Sequence, residues 1–421
     1  MFQPNLFIRG VNFIYRHALL RQYLSYQKNK IKEIRAKAKI KVLFVVGDVS
    51  MWKTEFLYKA MLKHDRFQPI LGTALITADL PDESLRKYNA LLEYITQKEY
   101  DYIQLYSGNI QNVKADIIFY QQPYDNFMDE GVSYRKNLNS LFCYAAYGIL
   151  SLAPSKKNKW VSDLPLHRYC WHLYFENEIT SKLNNKSYLK GQNSRITGIP
   201  FQDVLFSPKS EFVNPWKGQE CIKKKIIWAP HHTIPVSENP IQFSTFLDVS
   251  DIMLLFAEKY KGQIQFVFKP HPFLKRKLND FWGEEKTNDY YNRWATMDNT
   301  QIVEGDYLGL FKYSDAMIHD CVSFTIEYCY TKNPVMYLIK ERDINGHRSE
   351  LNEFGQRSFD LHTHGCTKEQ IKAFIQMVAE GKDDKKDQRV QYYNDFLLPP
   401  CGKSACENII NAILGQANWE H

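Results

Sequence analysis

The chain lacks the marks of several large protein classes. Its 421 residues include 8 cysteines, and none forms a C-x-x-C pair; Cys401 and Cys406 lie nearest one another. No zinc or redox spacing follows from that arrangement. Nothing at the N-terminus reads as a secretory signal, so the expectation is reduced thiols in a cytosolic protein. No apolar run approaches the roughly 20 residues needed to cross a bilayer. No G-x-G-x-x-G follows the first strand-like run, which counts against a dinucleotide dehydrogenase. The stretch 402–404, "GKS", lacks the upstream glycine and preceding strand of a P-loop and reads as a helix start. Acid is scarce at one end: residues 1–41 hold ten Lys/Arg and one acid, Glu33. The remainder has 44 basic and 46 acidic residues, so no nucleic-acid-binding face is expected on the main body.

What is present is globular. Apolar residues make up 44% and charged residues 24%, and the length exceeds what one core usually holds, so two domains are expected. The 27 Tyr and 26 Phe suit a large core and also suit stacking on sugars or bases. In the basic arm, Phe7, Val11, Ile14 and Ala18 follow helical spacing, with Ile8, Tyr15 and Leu19 beside them and Arg9, Arg16 and Arg21 interspersed. Such a helix either lies on an anionic membrane surface or packs on its own protein.

Past the arm, buried strand-like runs alternate with helical ones. Residues 42–46 form a continuous apolar run, as in a parallel strand covered on both faces. Further strands are expected at 67–75, in "YIQLYS" and in "ADIIFYQQP", with a helix over 84–100. A less regular aromatic region follows, including "LFCYAAYGILSL", and 194–208 reads as strand, Gly-Pro turn and linker. The second half repeats the pattern at "KKKIIWAPHH", "QIQFVFKPHP", "IVEG", "DAMIHD" and "NPVMYLI". The expected architecture is α/β and GT-B-like: two Rossmann-type doubly wound domains facing a cleft. The boundaries predicted are a basic arm at 1–40, an acceptor domain at 41–208, a nucleotide-donor domain at 209–395, and a C-terminal helix within 396–421 packing back on the first domain.

In doubly wound sheets, ligands sit at the carboxyl ends of the strands. Four polar clusters of the second half fall there: His231/His232, Lys269/His271, Glu304/Asp306 and His319/Asp320. His271 stands between two prolines, which presents an imidazole rigidly and suits charge stabilisation on a leaving nucleotide. "APHHT" repeats the design, and His231 is taken as the member of its pair that meets a phosphate or base. At 319–325 a strand gives way to a helix start, where free N–H groups suit phosphate and Ser323 and Thr325 add hydroxyls. Asp320 and Ser323 also fit ordinary N-capping.

"WAPHHT", "FKPHP" and "YSDAMIHDCVSFTIEYCYTKNPVMYL" together resemble the C-terminal half of the CDP-glycerol glycerophosphotransferases, which prime and polymerise wall teichoic acids. The resemblance is good over 220–340 and looser in the N-terminal half, where "W-K-x-E-x-L-Y" at 52–58 is similar to family members. It implies a GT-B fold and a cytoplasmic enzyme peripheral on the inner face of the bacterial membrane. It also implies transfer of a polyol phosphate from a CDP-activated donor to a lipid-linked or polymer acceptor. The family's phosphate-contacting His matches His271, and its Ser pair matches Val322 and Ser323, so one hydroxyl is missing. The family's "WHG", whose His is a candidate base, is absent. Asp125, Asp129 or Glu130 in "FYQQPYDNFMDEG" is available instead, as base or as solvated acid.

The expected reaction is attack of an acceptor hydroxyl on the donor's β-phosphorus with loss of CMP. His271, Ser323, Thr325 and the helix start neutralise the diphosphate, Lys269 assists, and Glu327 reaches a ribose hydroxyl or solvent. No D-x-D-like cluster marks a metal, so metal and cofactor independence is expected. Two rivals remain: a glycosyltransferase of the same fold using a nucleotide sugar, and a non-catalytic membrane-docked homologue.

Overall fold

The computed structural model describes residues 6–106, 109–124, 127–154, 163–234, 243–305 and 307–416, with the backbone alone over 6–16. The chain divides into two compact units. One comprises Met1–Leu150, Pro154–Val204 and Pro399–His421; the other comprises Ser151–Ala153 and Leu205–Leu398.

The first unit is built on a seven-stranded sheet: β1 (Ile40–Val46), β2 (Phe67–Thr73), β3 (Tyr102–Gln104), β4 (Ile117–Tyr120), β5 (Leu141–Ala145), β6 (Cys170–Phe175) and β7 (Ser194–Ile196). Their order is β3-β2-β1-β4-β5-β6-β7, with every pair parallel. The chain winds one way from β1, then the other way from β4, which makes a doubly wound Rossmann-type sheet. β1 and β4 lack polar alternation because both of their faces are covered. β5 and β6 complete the sheet within the region expected to be irregular. Both are buried along their whole length, and neither shows the period-two pattern of a strand with one wet face. His172 lies inside β6, which breaks its apolar run without exposing the imidazole.

The W-K-x-E-x-L-Y stretch proves to be a packing device. Glu55 accepts the hydroxyls of Tyr94 (2.9 Å) and Tyr100 (2.7 Å) and pairs with Lys59 (3.0 Å), while Trp52 and Tyr58 are buried.

A long helix, Leu6–Ala36, carries the basic arm. Over its described side chains the apolar face is covered by the unit itself. Leu20, Tyr23, Gln27 and Ile34 are buried; Tyr23 donates to the Ser140 carbonyl (2.7 Å) and Gln27 to that of Tyr169 (2.8 Å). Arg21, Lys28 and Lys32 lie on the exposed side. Phe7, Ile8, Val11, Ile14 and Tyr15 fall outside the described side chains.

Residues expected to form a linker after β7 instead form the helix Pro200–Phe206. The prolines mark where a turn hands over to a helix, since Pro suits its first position. Gly198 makes the turn at φ 77°, and a Cβ there would lie 2.8 Å from Ala405. The chain returns to this unit after Leu398 and forms the helix Ala405–Leu414. Ser404 caps that helix in a reciprocal box with Glu407, and Asp203 accepts the amides of Ala405 (2.7 Å) and Cys406 (2.8 Å).

The second unit has six strands: β8 (Lys224–Ala229), β9 (Ile264–Phe268), β10 (Thr300–Ile302), β11 (Ala316–His319), β12 (Val335–Tyr337) and β13 (Thr363–His364). The order is β10-β9-β8-β11-β12-β13, again all parallel. One face is filled by rings around Trp228, which stacks on Phe246 (5.6 Å) and Phe268 (5.0 Å) and meets Trp294 (5.3 Å). The topological switch lies between β8 and β11, where a ligand crevice opens in such sheets.

Asp203→Ala removes two acceptors from a helix start. We expect a loss of about 1–2 kcal/mol in stability, read from chemical denaturation, with Asp203→Asn intermediate.

Candidate functional site

The loops after β8 and β9 run side by side. Lys269 donates its amide to the Trp228 carbonyl (2.8 Å), and His271 donates its own to that of Pro230 (3.1 Å). Pro230, Pro270 and Pro272 restrict the backbone around them. Three imidazoles meet as a result. The rings of His231 and His232 are 4.2 Å apart, those of His232 and His271 4.0 Å, and those of His231 and His271 5.2 Å. Among the described residues this is the group of side chains with the spacing to hold a metal ion.

Every ring is partly buried and stays neutral at neutral pH. Desolvation comes first in each case and pushes His231 down to about 3 and His232 and His271 to about 4. Neighbouring charge acts in the same direction, through Lys277 on all three, Arg276 on His232 and Lys269 on His271. Lys277 belongs to the helix Leu274–Trp282, which begins with Lys275, Arg276 and Lys277 and has no acid in its first turn. Cations crowd the positive end of that helix dipole, an unfavourable arrangement that a bound anion relieves.

Backbone and hydroxyl contacts hold two of the rings, His271 and His231. The Phe273 amide donates to His271 Nδ1 (3.2 Å). His231 Nδ1 lies 3.0 Å from Thr233 Oγ1, which also accepts the amides of Phe243 (2.9 Å) and Ser244 (3.2 Å).

Asp320, at the end of β11, is wholly buried. Its carboxylate accepts the amides of His231 (2.5 Å) and Thr245 (2.6 Å) and the Thr245 hydroxyl (3.1 Å). Burial raises its pKa to about 6, against the lowering effect of those bonds. Its oxygens therefore bind the protein's own loops. His319 is buried beside it, with Nδ1 3.3 Å from the Cys321 amide.

The remaining expected residues divide. Ser323 is exposed at the start of the short helix Phe324–Glu327. Thr325 is fully buried, and its hydroxyl has no hydrogen-bond partner among the described residues. Glu327 is buried, accepts the Tyr307 hydroxyl (2.7 Å) and lines a cavity of about 170 Å³ with Lys312 and Asn333. Lys269 is buried and donates to the Gly305 carbonyl (3.1 Å). In the first unit, Asp125 lies outside the described residues. Asp129 accepts the Gly131 amide (2.8 Å), and the Glu130 side chain is 87% exposed, 3.6 Å from Lys136.

Three features escaped the sequence reading. Thr233 and the basic turn 275–277 carried a signal, since both adjoin the histidine loops. Glu176 follows β6, is buried with its pKa raised by desolvation, and accepts the Leu150 amide (2.8 Å). Its signal was an acid directly after an apolar run.

The family model described as CDP-glycerol:poly(glycerophosphate) glycerophosphotransferase matches residues 114–414, most of the chain. The chain belongs to this family. A curated relative, the teichoic acid ribitol-phosphate polymerase TarL of Staphylococcus aureus, is 24% identical over 313 residues, 67% of this chain and 53% of that protein. The chain thus spans about half the length of the curated relative it matches. A solved variant of the wall teichoic acid polymerase TagF aligns over 98% of both chains at 14% identity and a TM-score of 0.53. MnaA of S. aureus, solved with UDP, aligns over 91% of this chain and 99% of its own, at 14% identity and a TM-score of 0.53. These likenesses establish the GT-B-like fold. Among the described residues no helix is long and apolar enough to cross a membrane.

The histidines set an acid limit on the fold. Unfolded, each takes up a proton near pH 6.5; folded, His167 does so near 4 and His319 near 3, as burial demands. Between those values the unfolded chain holds more protons, so stability is full above about pH 6.5 and drains away toward pH 4. Melting temperature measured across that range is expected to fall steadily.

Proposed function

We propose that the protein transfers a polyol phosphate, glycerol phosphate or a close analogue, from a CDP-activated donor to a cell-surface glycan or polyol-phosphate acceptor. The observation that carries this reading is the pair His231 and His271. Two neutral imidazoles face one another at the ends of adjacent strands, beside a helix whose first turn carries Lys275, Arg276 and Lys277 and no acid. That is a setting for phosphate oxygens, and membership of the glycerophosphotransferase family supports the class of donor.

In the proposed reaction an acceptor hydroxyl oxygen bonds to the donor's β-phosphorus. The bond from that phosphorus to the bridging oxygen breaks, and CMP leaves with the electron pair. His231, His271 and exposed Ser323 contact the diphosphate, with Lys277 and Arg276 supplying charge. Asp320, Lys269 and Glu327 support the site through the bonds that fix its loops, and Thr325 packs behind Ser323. The acceptor's proton passes to a carboxylate, for which Asp125 and Glu130 are proposed. No metal or cofactor takes part.

The test is CMP release from CDP-glycerol, CDP-ribitol and a nucleotide-sugar panel with a lipid-linked acceptor mixture. Release from a CDP-polyol is expected, falling about 100-fold or more in His271→Ala. Release from a nucleotide sugar alone moves the protein to the glycosyltransferase reading. No release from any donor favours the non-catalytic homologue.

We further propose that the basic arm meets an anionic membrane surface on the inner face of the cell membrane, electrostatically, through Arg21, Lys28 and Lys32. Cosedimentation with anionic vesicles is expected at low salt and lost by about 0.5 M. Binding that survives salt would point instead to apolar insertion.

A further inference from the structure

Three imidazoles within reach of one another admit two opposite chemistries, a cation centre and an anion site. The partners of Nδ1 separate them. A histidine that ligates metal through one nitrogen almost always donates the other N–H to a carbonyl or carboxylate. His271 does the reverse: its Nδ1 faces the Phe273 amide, which can only donate. The ring is neutral, so its one proton sits on Nε2.

For His231 the same result runs through Thr233, which is 1% exposed. Its oxygen has two lone pairs and one proton. Amides from Phe243 and Ser244 occupy both lone pairs. The proton is left for the third contact, His231 Nδ1 at 3.0 Å. His231 then also carries its proton on Nε2. The charged side chains that act on the three rings are Lys269, Arg276 and Lys277, all cations. A divalent metal would have to displace two Nε2 protons in a positive field. An oxyanion accepts both as they stand.

We propose that Thr233 is a positioning residue whose hydroxyl fixes the His231 tautomer, so that His231 and His271 present two N–H donors to a diphosphate and exclude divalent metal. This rests on reading the second unit as the donor-binding half. The sequence signal is the third residue of "HHT", and its effect depends on two amides ten and eleven residues further on.

The decisive measurement is ¹⁵N NMR of histidine-labelled full-length protein, with His231 assigned from a His231→Asn sample. The expected wild-type signal is a protonated Nε2 and an unprotonated Nδ1. Thr233→Val is expected to give mixed tautomers and to weaken pyrophosphate binding about 5- to 10-fold by calorimetry. Thr233→Ser is expected to restore both. A purely structural threonine would lower the melting temperature in Thr233→Val with the tautomer unchanged, which overturns the proposal. So would a wild-type His231 protonated on Nδ1, or zinc bound more tightly than pyrophosphate. The tautomer is read without substrate. A wild type that shows it and binds pyrophosphate, yet turns over no CDP donor, removes the transferase reading and leaves this inference standing.

Discussion

The second unit's site depends on one buried carboxylate. Asp320 ends β11 and reaches two segments distant in sequence: the loop after β8 and the start of the helix Phe246–Lys259. A charge this deep is costly unless it is hydrogen bonded. Three donors converge on it, and its pKa is still raised because desolvation outweighs those bonds. Because Asp320 holds His231 by its backbone amide, the imidazole remains available for other work. Position and chemistry are thus assigned to different atoms of the same residue.

Beneath those loops the Trp228 ring stack makes the strand ends stiff. Above them, proline restricts the chain on either side of His271. Both devices lower the freedom that a bound diphosphate would otherwise remove, the usual way a site is made ready before its ligand arrives. The surrounding cations Lys269, Arg276 and Lys277 repel one another, and an anion bound among them would relieve that repulsion. Neutral imidazoles add donors without adding further repulsion.

Much of this was legible in the sequence, and what was not has physical reasons. β1, β8 and β9 announce themselves by unbroken apolar runs. β6 does not, because an aromatic-rich strand with a buried histidine looks like neither template, and the apolar run of β5 continues past Ala145, which blurs where the strand ends. The helix Pro200–Phe206 hides behind prolines that signal a turn and a helix start equally well. Periodicity in the basic arm identified an apolar face but not what covers it, and over the described side chains the cover is the protein itself. His231 and His271 were visible as strand-end residues. Their tautomers were not, since those depend on contacts from Thr233, Phe243, Ser244 and Phe273 that only the folded loops bring together. Asp320 was visible as polar, and its three bonds show why a residue at a ligand crevice can serve the scaffold.

The route of the chain has a further consequence. It leaves the first unit near Val204, builds all of the second unit except Ser151–Ala153, and returns at Pro399. During synthesis, the second unit is complete before the helix Ala405–Leu414 emerges. Until then Asp203 has no helix to cap, and the surface that takes that helix is bare. The first unit, though translated first, is the last to finish folding. A nascent chain that has emerged only as far as Leu398 would therefore present a finished second unit joined to an open first one, and quality control would meet that species.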